Sequence, residues 1–370
     1  MSSLCRSAAL IVFFAALVLM CRGAATASDQ PNDTVRATPP NGLVVVIEDK
    51  PSQSIDPAIV SNPNISGVAL QIHWSDLEPA EGKPDWSRLD SLFASAHKAN
   101  KWVALLVFPG FFTPPWALKD VPTGTFAIQY GPGNGEVRQL PAPWNDLYLS
   151  RWFSFLKLLD ARYGNDAGFR MIAADGPTSV SAEFTLPKSP ADTRQWQSLG
   201  YTPDKYVDAW RKVFQEYASD FPKQYISLSV GAGQINISNA GEVTTGEGTS
   251  TRQAIVDAAK AALGARLVLQ SSNVHAGPGP NERNSRRDDA FIIDYAGRVI
   301  TGLQMRTSAT GASAVMGAAG DPPLALRRSV DLAMLPNANG RHIDYLEIYS
   351  PDVAAADMQA VLRYAAGLFR

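Results

Sequence analysis

The stretch "IHWSDLEPAEGKPDW", Ile72 to Trp86, joins an apolar run to an amphipathic one. The run that leads into it, 67–74, is continuously apolar, as expected for a parallel strand buried on both faces. Beyond it, apolar residues recur at helical spacing over 89–96. Inside it, Pro79 stiffens the chain and the Glu78 carboxylate can accept backbone N–H groups. The stretch therefore predicts one strand, a structured turn and one helix.

The same alternation continues along the whole chain. Short apolar runs rich in Val, Ile and Leu lie at 42–48, 67–74, 101–108, 169–174, 225–230, 265–272, 302–306 and 343–349. Between them lie amphipathic segments with helix signals, such as Thr202 as N-cap, Pro203 in the first turn and Gly264 as a stop. Eight strands alternating with helices predict an α/β fold, a single (β/α)8 TIM barrel. The rival is a doubly wound open sheet, which usually has a Gly-rich turn after its first strand, where this chain reads "IEDKPSQ".

The N-terminus has the features of a secretory signal peptide over 1–27. Arg6 is followed by the apolar run Ala8 to Met20, which is short for a membrane span, and by the small residues "ATA" at 25–27. We therefore expect a secreted or periplasmic protein, with a lipoprotein anchor at Cys21 as the alternative. Residues 28–41 are interpreted as a flexible tether and 42–370 as the barrel domain.

Composition excludes several classes of site and partner. Both cysteines, Cys5 and Cys21, fall in the predicted leader, which leaves no thiol for disulfides, nucleophiles or metal sites. The net charge of −2 gives no bulk attraction to nucleic acid or to an anionic membrane surface. Four dispersed histidines, without H-E-x-x-H, argue against a zinc hydrolase, and neither a P-loop nor a G-x-S-x-G motif is present. We expect no metal and no cofactor, and the oligomeric state stays open.

Three segments together resemble the clan A glycoside hydrolases. The first is the turn that starts at Trp74, which is similar to the W-x-x-L-E-P-x-x-G turn of beta-galactosidase-like families. The second, "KWVALLVFPGFFTPPW" (101–116), is similar to a strand that ends in a Thr-Pro-x-Trp loop beside the sugar. The third, 151–184, resembles the helix and strand that lead to the catalytic acid. The likeness covers 67–183 and implies a TIM barrel that hydrolyses an oligo- or polysaccharide.

Glycoside hydrolysis uses two carboxyl groups, about 5–5.5 Å apart for retention and about 6.5–9.5 Å apart for inversion. The resemblance implies one glutamate at the end of strand four and one at the end of strand seven. Glu183 matches the first, with Asp175 as a competitor because the strand-like run stops near residue 174. Strand seven offers only Gln304 and Arg306, so the second role passes to Glu347 on strand eight.

The assignment of Glu347 carries a geometric difficulty. Strand eight lies opposite strand four, where the gap is wide for a retaining pair. Asp352, just past the same strand, is the next carboxylate.

Aromatic and polar residues beyond the strand ends are predicted to bind the sugar. Indole faces stack on sugar rings, and amide, imidazole and guanidinium groups suit hydroxyls, although Asn and Gln equally often bond locally in turns. The long segment 109–144 is expected on the same face. The predicted binding residues are Trp74, Trp116, Trp144, Gln234, Asn236, Asn273, His275 and Arg306.

Two principal hypotheses follow. The first is a secreted glycosidase with Glu183 as acid/base and Glu347 as the second carboxylate. The second is a catalytically inactive TIM barrel that binds glycans through its tryptophans. A hydrolase acting on another substrate class is third.

Overall fold

The computed structural model describes residues 37–48, 55–129, 133–231, 249–277 and 285–369. Contacts divide the chain into two units, Met1–Thr34 and Val35–Arg370, and the described residues all belong to the second. The predicted leader, with Cys21, and most of the predicted tether therefore lie outside the described residues. Their boundaries stay predictions.

Eight parallel strands close into a barrel, which confirms the predicted TIM-barrel fold. With the two strands of a separate hairpin, the strands of the described residues are β1 (Gly42–Ile47), β2 (Gly67–His73), β3 (Trp102–Phe108), β4 (Thr123–Ala127), β5 (Val137–Pro141), β6 (Phe169–Ala173), β7 (Tyr225–Ser229), β8 (Leu267–Val274), β9 (Ile300–Met305) and β10 (Tyr345–Tyr349). β4 and β5 form a separate antiparallel hairpin inside the long segment after β3. The barrel order is β1-β10-β9-β8-β7-β6-β3-β2, so β6, β9 and β10 are barrel strands four, seven and eight.

Helices follow the strands as the amphipathic pattern predicts. They are α1 (Pro57–Val60), α2 (Trp74–Leu77), α3 (Ser87–Lys98), α4 (Pro115–Leu118), α5 (Asp146–Tyr163), α6 (Pro190–Ser198), α7 (Pro203–Asp220), α8 (Thr249–Leu263), α9 (Ser285–Ile293), α10 (Ala309–Met316), α11 (Pro322–Ala333), α12 (Ser350–Ala354) and α13 (Gln359–Gly367), with 3-10 turns at Gly110–Phe112, Gly264–Arg266 and Ala356–Met358. The Thr202 side chain caps α7 by accepting from Lys205 N at 3.2 Å. Gly264 follows α8 with φ +54°, a conformation that favours glycine. Within the described part of the chain, no helix is long and apolar enough to cross a membrane.

Alternate residues of the barrel strands point into the lumen. Tyr345 Oη donates to Gln270 Oε1 at 2.8 Å, and Gln270 Nε2 donates to Glu347 Oε2 at 2.6 Å, so these side chains meet inside the barrel. Glu347 pairs in register with Gln304 of β9, which therefore faces the same way. The upper lumen is accordingly polar, below a mouth at the carboxyl ends of the strands.

The fourth barrel strand is interrupted before it reaches that mouth. β6 ends at Ala173, residues 175–182 leave the sheet, and Glu183 returns as an isolated parallel bridge to Ser229 of β7. The excursion contacts the turn after β3, where Phe111 N donates to Ser179 O at 2.9 Å. Gly110 makes that approach possible, because it has φ +47° and a Cβ there would lie 1.9 Å from Ser179 O. The apolar pattern of strand four stops early, yet Glu183 still occupies the strand's carboxyl end.

Candidate active site

A cleft of about 650 Å³ opens at the carboxyl ends of the barrel strands. Strand ends contribute Glu48, Gln71 and Tyr349 to its wall, and the β4–β5 hairpin contributes Gln129. The excursion and the segment that follows it contribute residues 179–183 and 185–188. This is the face on which (β/α)8 barrels place their active sites, because the βα loops converge there. The cleft is therefore the candidate active site.

Glu183 lies in this cleft with a half-buried side chain. Its backbone is fixed to the fifth barrel strand, since Phe184 N donates to Ser229 O at 3.2 Å. Gly231 leaves room beside it, because a Cβ there would sit 3.1 Å from Glu183 Oε2. The predicted strand-four acid thus has a defined position and access to a ligand.

Asp175, the competing carboxylate, lies elsewhere. It is fully buried and is not part of the cleft wall. Trp152 Nε1 donates to its carbonyl oxygen at 2.8 Å, and its own N–H donates to Tyr217 Oη at 3.1 Å. Burial raises the pKa of the Asp175 carboxyl well above its ordinary value. It packs beneath α5 and α7 and cannot reach a ligand in the cleft.

The structure places Glu347 below the cleft and not in it. Its side chain is fully buried, Oε1 has no hydrogen-bond partner, and it is not among the residues that line the cleft. Burial raises the pKa of Glu347 to about 8, with the hydrogen bond from Gln270 opposing that shift, so the group is protonated at neutral pH. Glu347, the expected second carboxylate, is thus a lumen residue. It lies two residues before Tyr349, the last residue of β10, and therefore deeper in the barrel. Asp352 is also fully buried, and its carboxylate accepts from the N–H groups of Ala309 and Thr310 at the start of α10.

Glu48 is a cleft residue that the sequence reasoning missed. Together with Glu183 it makes up the acidic side chains among the described residues of the cleft wall. The signal was present, since Glu48 directly follows the apolar run of the first strand, in the same kind of position as the strand-four acid.

Tyr349 connects several groups of the site. Gln304 Nε2 donates to Tyr349 Oη at 2.6 Å. Burial raises the pKa of the Tyr349 phenol. At the high pH where the phenol would ionise, the negative charges of Glu48, then Glu347 and Glu183, raise this pKa further. The phenol therefore stays protonated, within electrostatic range of both cleft carboxylates.

The structure does not place the predicted sugar-binding tryptophans in the cleft wall. Trp74 is fully buried, with its ring centroid 5.1 Å from that of Trp152 and 5.6 Å from that of Trp116. Its Nε1 donates to Glu78 Oε2 at 2.9 Å, and Trp116 Nε1 donates to Glu78 O at 2.9 Å. Glu78 thus has the structural role that its turn position suggested. These indoles fill space between the barrel and the helices, where the sequence alone suggested an exposed face.

Trp144 is similarly placed in a satellite cluster. It is half-buried, and its ring centroid lies 5.8 Å from that of Trp196 and 5.5 Å from that of Tyr201. Its Nε1 donates to Leu199 O at 3.3 Å. None of the three predicted tryptophans is among the described residues of the cleft wall.

The predicted polar residues divide into three groups. Asn273 and Arg306 line the cleft. His275 is buried beside it, 3.3 Å from Arg306 Nη1, and burial followed by the charge of Arg306 lowers its pKa. Gln234 and Asn236 lie outside the described residues. Among the described residues, no group of three or more His, Cys, Asp or Glu side chains is arranged to hold a metal ion.

The family comparison agrees with this geometry. A family model described as beta-galactosidase, a glycoside hydrolase family, matches residues 51–222. The chain is similar to the clan A glycoside hydrolases. The match spans the opening strand-turn-helix stretch and Glu183, so the resemblance predicted from 67–183 is confirmed. Residues 51–222 of this TIM barrel are therefore similar to a glycoside hydrolase family.

Solved structures show the same fold at low identity. The catalytic domain of beta-amylase from Paenibacillus polymyxa superposes with a TM-score of 0.52 at 9% identity, covering 88% of this chain and 95% of that one. A beta-galactosidase from the haloarchaeon Halorubrum lacusprofundi gives a TM-score of 0.53 at 11% identity, covering 89% of this chain and 58% of that one. A search of curated proteins finds no match. Likeness at such identities concerns the fold, so the activity rests on the site itself.

Proposed function

We propose that this protein hydrolyses glycosidic bonds of an oligo- or polysaccharide in the cleft, with Glu183 as the general acid/base. One observation carries the proposal: Glu183 stands at the carboxyl end of barrel strand four and lines the cleft. The family resemblance implies the acid at that position. There the carboxyl group can protonate the departing glycosidic oxygen as the bond to the anomeric carbon breaks.

The rest of the wall suits a sugar. Gln71, Asn273 and Gln304 offer amide donors and acceptors, and Arg306 offers further donors. Sugar hydroxyls both donate and accept, so amide groups can satisfy them in either sense. A volume of about 650 Å³ is in the range of small-molecule sites.

The test is turnover of a panel of aryl glycosides that covers both anomers and the common hexoses and pentoses. We expect release of the phenol from at least one of them and its loss in Glu183→Ala. The matched control is Glu81→Ala, which removes an exposed glutamate outside the cleft. Failure of every glycoside to turn over would contradict the proposal.

The second candidate is a glycan-binding barrel without catalysis. The observation that favours it is Gln304, which occupies the mouth of barrel strand seven, where the resemblance implies a carboxylate. This candidate predicts saturable oligosaccharide binding by calorimetry, without turnover, that persists in Glu183→Gln.

We also propose that the protein is exported and cleaved after Ala27. The support is the charged, apolar and small-residue pattern of the first 27 residues. Mass spectrometry of protein from the native cells should give Ser28 as the N-terminal residue. A lipid-modified Cys21 at the N-terminus would contradict cleavage at that site.

A further inference from the structure

We infer that Glu48, at the end of the first barrel strand, is the carboxylate that acts opposite Glu183. The inference rests on the proposed function and adds the second catalytic residue. It replaces the assignment of that role to Glu347.

The first argument is the direction of the Glu48 side chain. Val46 pairs in register with Tyr349, and Val44 pairs with Glu347. Since Glu347 faces the lumen, its partner Val44 does so too, and so does every second residue along β1. Glu48 is two residues beyond Val46, so it points inward at the rim, consistent with its place in the cleft wall.

The second argument is the position of β1 around the barrel. In the closed order, β1 is three strands from β6, through β2 and β3. β9 is also three strands from β6, on the other side through β7 and β8, whereas β10 is four strands away and directly opposite. A carboxylate at the end of β1 is therefore separated from Glu183 by as many strands as a carboxylate at the end of barrel strand seven would be.

The third argument is that the strand-seven position cannot carry the charge. Gln304 lies there, and its amide is bound to Tyr349 Oη at 2.6 Å. An amide neither ionises nor takes a proton from water at neutral pH. Among the described residues of the cleft wall, the carboxyl group other than that of Glu183 belongs to Glu48.

The chemistry then balances with the groups in the cleft. Glu183 gives its proton to the glycosidic oxygen as the bond from that oxygen to the anomeric carbon breaks. Glu48 brings its carboxylate to the other face of the sugar, where a new bond to the anomeric carbon forms from water, directly or after attack by the carboxylate itself. Water supplies the hydroxyl for the anomeric carbon in both routes. In the direct route its proton goes to Glu48, and Glu183 regains a proton from solvent. After attack by the carboxylate, an ester between Glu48 and the sugar forms first, and the water that breaks this ester gives its proton to Glu183.

The experiment compares Glu48→Ala, Glu347→Gln and the control Glu81→Ala on the glycoside that the wild type turns over best. We expect Glu48→Ala to lose about 10²–10⁴-fold in kcat, with an unchanged melting temperature. Glu81→Ala should keep wild-type kcat. Added sodium azide should restore turnover to Glu48→Ala and give a glycosyl azide, because a small anion occupies the space of the lost carboxylate and bonds to the anomeric carbon. Azide should not accelerate the control variant.

The outcomes separate the two proposals. If the wild type is active and Glu48→Ala keeps its kcat, the Glu48 assignment is overturned while the glycosidase stands. The same holds if Glu347→Gln loses activity without unfolding and Glu48→Ala does not. A wild type that turns over no glycoside overturns both.

Discussion

Two regions at the end of β2 differ in composition, and the difference shows how this barrel is built. Gln71 faces the cleft, whereas Trp74, three residues later, faces away from it into an aromatic cluster with Trp116 and Trp152. The cleft wall combines polar side chains with the rings of Phe108 and Phe111, whereas the three indoles lie behind it. Side-chain direction separates the two regions, so residue type alone does not identify the ligand surface.

The aromatic cluster is expected to stabilise the fold and the cleft to bind ligand. The Trp74 indole donates to Glu78 and is fully buried. Gln71 and Asn273, in contrast, are half-buried and border the cleft. Substitutions in the two regions should therefore change different measurements.

The largest expected effect on stability is that of Trp74→Ala. Removing a fully buried indole should lower the free energy of unfolding by about 3–5 kcal/mol, because it leaves a cavity and an unpaired Glu78 oxygen. Urea denaturation measures it. Gln71→Ala, three residues earlier in the chain, is the comparison and should change stability by less than about 1 kcal/mol. Equal losses in both variants would remove the distinction between the regions.

Glu347→Gln should change the pH dependence of stability. In the folded protein the pKa of Glu347 is about 8, above its ordinary value of 4.5. The unfolded state therefore loses its proton first, and the free energy of unfolding falls as pH rises from about 4.5 to about 8. Each unit of difference between the folded and unfolded pKa values changes the free energy of unfolding by about 1.4 kcal/mol.

Glutamine cannot ionise and keeps the oxygen that accepts from Gln270. Between pH 5 and pH 8, the free energy of unfolding of the variant should therefore rise by roughly 2–4 kcal/mol relative to that of the wild type. Thermal unfolding over that pH range measures the difference. Parallel pH profiles for the two proteins would show that Glu347 does not titrate within the lumen.

Much of the architecture was predictable from sequence. Eight buried parallel strands leave continuous apolar runs, and Thr202 and Gly264 mark helix ends through local chemistry. The position of Glu183 was predictable through family resemblance, although the apolar pattern of strand four stops about nine residues earlier, near residue 174.

The depth of side chains in the site was not predictable. Whether Glu347 reaches the mouth depends on the register between β10 and its neighbours, which no single strand sequence contains. The burial of Trp74 depends on the rings of α5, which pack against it from a distant part of the chain. Glu48 was missed because the resemblance directs attention to strands four and seven.

A smaller effect is expected from Asn273→Ala, which removes a side chain from the cleft wall. Loss of one sugar hydrogen bond should raise KM about 2–10-fold with kcat nearly unchanged. The control is Asn165→Ala, an exposed asparagine far from the cleft that bonds Lys223. Steady-state kinetics measure both. An unchanged KM in Asn273→Ala would place the sugar in another part of the cleft.

The most direct test of the central claim is the leaving-group dependence of Glu183→Gln. If Glu183 is the acid, the variant should lose about 10²–10⁴-fold in kcat/KM on alkyl glycosides or natural saccharides, whose leaving oxygen needs a proton. On dinitrophenyl glycosides, which depart without protonation, it should stay within about tenfold of the wild type. Equal losses on both classes, or no loss on either, would contradict the assignment of Glu183 as the acid of this barrel.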